Sequence, residues 1–193
     1  MTGSQRCLKK FDEEQLNVVD EAAALAEDVT SNYYKFSPSQ WRRSRYDIKT
    51  LKDLEDNERS DRVFAQILRY IGQRRGSDLG STRFDFYKIC LQDHTILGAL
   101  DRDTGLTLFP LTAYVVAHEL VHIVRFSRFL QSFEAYPLQR LEEESRVHTI
   151  TMEMLARARV RGMKAIAMAY QELLEQGLPL DDVAEGSTVR DRQ

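Results

Sequence analysis

Apolar residues recur along this chain at two different periods, and the places where the period changes divide it into elements. From Asp12 to about Val29, Leu16, Val19, Ala23 and Ala26 fall at helical spacing, and early acids suit the N-terminus of a helix there. Ser31 to Arg45 is irregular and aromatic, with Tyr33, Tyr34, Phe36 and Trp41. The pattern then predicts a short helix over Asp47 to Leu54 and a charged loop over Glu55 to Ser60. It predicts a second firm helix over Asp61 to Arg74, with Val63, Ile67, Leu68 and Ile71 inward and a break at Gly76 to Ser81.

Beyond that break the period shortens. Phe84, Phe86, Ile89 and Leu91, followed by Thr95 to Leu100, read as two strands joined near Gln92-Asp93-His94. After a turn at Asp101 to Gly105, Leu106 to Phe109 reads as a further short strand. Pro110 suits the first position of a helix, where its missing N–H costs nothing, and that helix runs to about Phe129. Two more helices are expected over about Pro137 to Arg157 and Arg161 to Gln176, the last stopped by Gly177-Leu178-Pro179. The tail from Gly186 is expected to be disordered.

The expected fold class is therefore α+β: mainly helical, with a small antiparallel or mixed sheet ahead of the helix that begins at Pro110. No repeat or low-complexity linker divides the 193 residues, so one domain is expected, with a helical part over 1–80 and a core over 83–176.

Composition changes this picture little. A hydrophobic fraction of 42% and a charged fraction of 30% belong to an ordinary globular protein, and a net charge of −3 selects no partner. Basic clusters such as Arg42-Arg43 and Arg74-Arg75 sit among acids with no nucleic-acid-reading motif, so nucleic-acid binding is not expected. Cys7 and Cys90 form no framework of spacings, which fits a reduced cytoplasmic compartment. The longest apolar stretch, Leu111 to Val124, is too short to span a bilayer and is interrupted by His118, Glu119 and His122, so no membrane association is expected.

Those interruptions carry the chemistry. Residues four apart on a helix share a face, so His118 and His122 can point at one ion. Glu119 lies about 100° round from His118, placed to reach a water on that ion without ligating it. Ionisable groups confined to one sector of an otherwise apolar helix need partners or a cleft, and zinc with a bound water meets that need. Two histidines do not complete a zinc site. A longer His-Glu-x-x-His-x-x-Gly-x-x-His pattern fails, because Arg125 and Arg128 stand at its last two fixed positions.

The third ligand is therefore expected from the next helix, which offers Glu142, Glu143 and Glu144. By helical phase Glu144 shares an inward face with Leu141, His148, Thr151 and Leu155, whereas Glu142 falls on a polar face and Glu143 between the two. Glu144 is the expected ligand and Glu143 the reserve. His148 could orient a ligand, stabilise an oxyanion or complete the site as a fourth ligand. Tyr136 is a further candidate oxyanion donor, and His94 reads as a solvated turn residue.

The arrangement resembles the gluzincin branch of the zincin metallopeptidases, over roughly Lys88 to Leu155. The resemblance implies strands, then the His118-Glu119-Leu120-Val121-His122 helix, then a helix supplying the glutamate. It also implies a Zn2+ cofactor and an edge strand that pairs with an extended peptide substrate, here Thr95 to Leu100 or Tyr87 to Leu91. Many gluzincins carry Glu-x-x-x-Asp on the second helix, the aspartate bracing the first histidine. This chain has Glu144-Ser145-Arg146-Val147-His148 instead.

The expected activity is zinc-dependent hydrolysis of a peptide or protein substrate, with His118, His122 and Glu144 as ligands and Glu119 as general base. His148 or Tyr136 would stabilise the oxyanion. Two other readings stand beside it. One is a non-proteolytic metal protein with a His/His/Glu/His site, or a dinuclear iron or manganese site using Glu119 or Glu143. The other is a binding module that keeps the shape without turnover, using the aromatics between Tyr33 and Trp41.

Overall fold

The computed structural model describes residues 8–37, 41, 45–73, 83–128, 130, 137–175 and 181–182. A reciprocal cap starts the first helix, α1 (Glu13–Tyr34). The Asp12 carboxylate accepts the Gln15 amide N–H at 2.8 Å, and the Gln15 side chain accepts the Asp12 N–H at 3.0 Å. Lys35, in the left-handed conformation at φ 55°, ends it. Val19, Ala22, Ala26 and Val29 form the buried stripe, and the two alanines let α1 lie close along a later helix.

The chain continues through β1 (Arg45–Lys49) and two single 3-10 turns, Leu51–Asp53 and Asp56–Glu58, into β2 (Ala65–Gln73) and β3 (Arg83–Leu91). Four helices follow: α2 (Asp93–Arg102), α3 (Leu108–Ser127), α4 (Pro137–Arg157) and α5 (Met163–Glu175). A two-residue strand, β4 (Asp181–Asp182), comes last among the described residues. The sheet is mixed, in the order β1-β3-β2-β4. β1 runs parallel to β3, from Arg45 opposite Phe86 to Lys49 opposite Cys90. β2 runs antiparallel to β3, from Ala65 opposite Leu91 to Gln73 opposite Arg83. The fold is thus α+β, mainly helical, with its main strands ahead of α3.

Side chains alternate across this sheet. Ala65, Ile67, Tyr87, Ile89 and Leu91 join the main core with the helices. Leu68 and Cys90 face the other way, under Leu51 and Leu54 of the segment after β1. α3 is the central helix, packed against α1, α2, α4, α5 and the β2 and β3 strands. Every residue from Pro110 to Phe126 is buried. A fully buried Leu, Ile or Val side chain contributes about 1.5–3 kcal/mol. Leu120, Val121, Ile123 and Val124, none with any exposure, therefore help to offset the cost of withdrawing His118, Glu119, His122 and Arg125 from water. Among the described residues no helix is long and apolar enough to cross a membrane.

Four expectations are corrected. The firm helix over Asp61 to Arg74 is largely strand β2, so the described part of residues 1–80 combines helix α1 with strands β1 and β2. Both faces of β2 are apolar because the 3-10 segment covers the second face, and that two-sided burial imitates helical spacing. The short helix over Asp47 to Leu54 is the end of β1 and a 3-10 turn. The second strand, Thr95 to Leu100, is helix α2, with Ile96, Leu97 and Ala99 buried at helical rather than alternating positions. Leu106 to Phe109 is no strand either: α3 already begins at Leu108, and Pro110 is its third residue, still in the turn whose N–H groups lack intrahelical partners. The tail from Gly186 lies outside the described residues.

Candidate metal centre

His118 and His122 lie one turn apart on α3, and Glu144 lies on α4, which crosses beside it. His118 is 3% exposed and His122 not at all, while the Glu144 side chain keeps 24%. The Nε2 atoms of the two histidines are 3.2 Å apart. Glu144 Oε2 is 3.2 Å from His118 Nε2, and Glu144 Oε1 is 3.2 Å from His122 Nε2. One ligand-capable atom from each residue therefore converges on a common point.

These contacts can be hydrogen bonds whose direction the tautomers set, and their spacing also matches an ion site. Were both Nε2 atoms protonated, each could reach a Glu144 oxygen, but the two N–H groups would then oppose one another across their own short contact. A cation at the common point satisfies all three atoms through their lone pairs. Zinc–nitrogen bonds of about 2.0–2.1 Å in a tetrahedral site separate neighbouring ligand atoms by about 3.3 Å. The donor set, two imidazoles and a carboxylate, also suits zinc chemistry. These residues fit a metal ion.

No protein-family model, curated protein or solved structure matches this chain. The site is therefore read from its own geometry.

Helical phase on α4 separates the three glutamates. Glu142 is exposed, as expected of a solvated position. Glu143, the reserve ligand, is 7% exposed and faces α3, but it is ion-paired with Arg125 and lies 3.4 Å from Arg146. Burial disfavours the Arg125 charge, yet the Glu143 carboxylate, with a smaller contribution from Tyr34, outweighs it and raises the pKa. Leu141, assigned to the inward face with Glu144, is instead 65% exposed. The inward face is centred on Glu143, Val147, Thr151 and Met154, which puts Glu144 at its border and accounts for that residue's partial exposure.

His148 is not among the converging ligand atoms. Its Nδ1 lies 2.8 Å from the Tyr114 hydroxyl, which in turn lies 3.4 Å from Nδ1 of His118. Its ring stacks on Tyr170 of α5, with centroids 3.5 Å apart and planes 3° from parallel. Burial, and secondarily the nearness of His118, pushes its pKa down to about 4, so it is neutral near neutral pH. On the other flank His122 stacks on Phe126, and Phe126 stacks on Tyr87 of β3, which ties the site to the sheet.

Glu119 is 2% exposed on α3. Tyr136 lies outside the described residues. His94 sits not in a hairpin turn but in the first turn of α2, with Nε2 2.8 Å from Asp61. The two proposed substrate-pairing strands are corrected as well. Thr95 to Leu100 is helical, and Tyr87 to Leu91 lies between β1 and β2, so neither offers a free edge. Sequence reasoning missed Tyr114, Tyr170 and Arg125. Tyr114 carried a readable signal, because it stands four residues before His118 in the same helical row as both histidines.

Proposed function

We propose that this chain is a zinc-dependent metallohydrolase acting on peptide or protein amide bonds. The observation that carries the reading is the mutual 3.2 Å approach of His118 Nε2, His122 Nε2 and the Glu144 carboxylate. Zinc held there by these three residues would supply Lewis-acid polarisation of water and of the scissile carbonyl.

Glu119 is the general base of this reading. Its carboxylate takes a proton as the attacking water forms the new C–O bond, and hands that proton to the departing nitrogen as the C–N bond breaks. Its position directly after His118 on a rigid, buried helix supports that role, since a base held on a fixed element needs little reorganisation. The engagement of His148 with Tyr114 and Tyr170 favours an orienting role over direct contact with substrate. A dinuclear iron or manganese site would need a further carboxylate, and the commitment of Glu143 to Arg125 favours the single-ion reading.

The test is zinc content together with hydrolysis of a peptide library by native protein and by Glu119→Gln. Native protein is expected to bind one zinc per chain and turn peptides over. The variant should keep the zinc and lose about 10²–10⁴-fold in rate. Zinc binding without turnover in native protein would remove the peptidase reading and leave the metal site.

A further inference from the structure

Tyr114 stands between two histidines, and its hydroxyl meets the same ring atom of each. It lies 3.4 Å from Nδ1 of His118 and 2.8 Å from Nδ1 of His148. Tyr114 is 2% exposed, so the exchange takes place away from bulk water. We infer that Tyr114 and His148 are positioning residues, which lock His118 in the tautomer that presents a bare Nε2 to the metal. The inference rests on the metal reading above and adds to it the device that prepares its first ligand.

Counting protons gives the chain a direction. A neutral imidazole carries one N–H, so if Nε2 of His118 offers its lone pair, the proton is on Nδ1. That N–H donates to the Tyr114 oxygen. The Tyr114 O–H donates in turn to Nδ1 of His148, which must be bare, and His148 then holds its own proton on Nε2. The reverse polarity would put the His118 proton on Nε2, facing Glu144 and His122, and would close the site to a cation.

The three elements involved make the chain rigid. Tyr114 and His118 share a helical row on α3, so their separation is fixed by the helix. His148 follows Glu144 by one turn on α4, so the residue that closes the relay sits on the same helix as the third ligand. Tyr170 of α5 lies flat on the His148 ring and sets its plane, which directs Nδ1 at Tyr114. Second-sphere partners of this kind fix ring orientation, and their loss costs about 10–100-fold in metal affinity. A neutral tyrosine–histidine relay orients the ring without the charge of a carboxylate brace.

The experiment uses the full-length chain with zinc alone as the probe. Nitrogen-15 imidazole spectra of the zinc-loaded native protein should show His118 protonated at Nδ1 and His148 protonated at Nε2. By competition titration, Tyr114→Phe and His148→Leu should bind zinc about 10–100-fold more weakly. His148→Asn, whose side-chain oxygen can accept from Tyr114, should bind close to native. A His148 proton on Nδ1, or a folded Tyr114→Phe protein with native zinc affinity, would overturn the inference while leaving the metal site intact. Native protein that binds no zinc would remove both. If the variants do not fold, the native spectra decide alone.

Discussion

Arg125 and Glu143 form a buried ion pair between α3 and α4, less than one turn past the second histidine. Both side chains are under a tenth exposed. The pair joins the helix that carries both histidines to the helix that carries Glu144, so it sets their separation. It also commits the Glu143 carboxylate to Arg125.

Breaking the pair from one side should therefore be costly. Arg125→Ala leaves the Glu143 carboxylate buried with Arg146, at 3.4 Å, as its remaining ion-pair partner among the described residues, and should lower stability by about 3 kcal/mol in urea denaturation. Replacing both partners together, Arg125→Met with Glu143→Leu, should recover most of that loss, because an apolar pair of similar volume avoids the stranded charge.

Zinc should stabilise the folded chain. At about a hundred times its dissociation constant a bound ion adds about 2.7 kcal/mol, visible as a rise in melting temperature. Glu144→Ala removes one of the three proposed ligands and should abolish most of the zinc-dependent rise.

A second charge pair, with Glu58 buried and Lys88 half-buried, lies on the far side of the sheet. Lys88 Nζ is 2.6 Å from Glu58 Oε2, and the Tyr70 hydroxyl is 3.1 Å from Glu58 Oε1. Burial pushes the Glu58 pKa up, but the hydrogen bonds from Lys88, Glu55 and Tyr70, with the Lys88 charge, outweigh it and leave the pKa lowered. A carboxylate lowered on folding contributes stability above its unfolded pKa and loses it as pH falls through the folded one. The stability advantage of native protein over Glu58→Gln should thus shrink as pH drops below about 4.3, the ordinary glutamate value. Denaturation curves across that range check it.

Cys90 should be inert in the native state. It has no solvent exposure, and its burial pushes the thiol pKa up to about 12, so almost no thiolate is present near neutral pH. Mass mapping after alkylation should find Cys90 unmodified in folded protein and modified in denaturant.

What could be read from sequence followed how each element buries its surface. α4 was legible to the residue, and α1, α3 and α5 to within a few residues at most of their ends, because each shows apolar residues at helical spacing. β3 was legible from Phe84, Phe86, Ile89 and Leu91, although it is Tyr87, not Phe86, that turns to the core in alternation with Ile89 and Leu91. β2 was not, since Ile67 and Leu68 are buried on opposite faces of the sheet, a pattern that only the covering 3-10 segment explains. α2 was misread because Thr95 and Ile96 favour strands locally. A distant contact settles its start: the Asp93 carboxylate accepts the Phe11 and Leu51 amide N–H groups. His118 and His122 followed from the motif and Glu144 from a phase that set the inward face one residue off, whereas the Tyr114 link to His148 depends on how two helices cross, which no local pattern encodes.

The central claim is that His118, His122 and Glu144 hold one metal ion. Anomalous diffraction at the zinc edge, from crystals of zinc-loaded protein, tests it most directly. The account predicts one peak per chain, within about 2.0–2.2 Å of Nε2 of both histidines and of a Glu144 oxygen. No peak at that point, with the Glu144 carboxylate turned away into solvent, would contradict it.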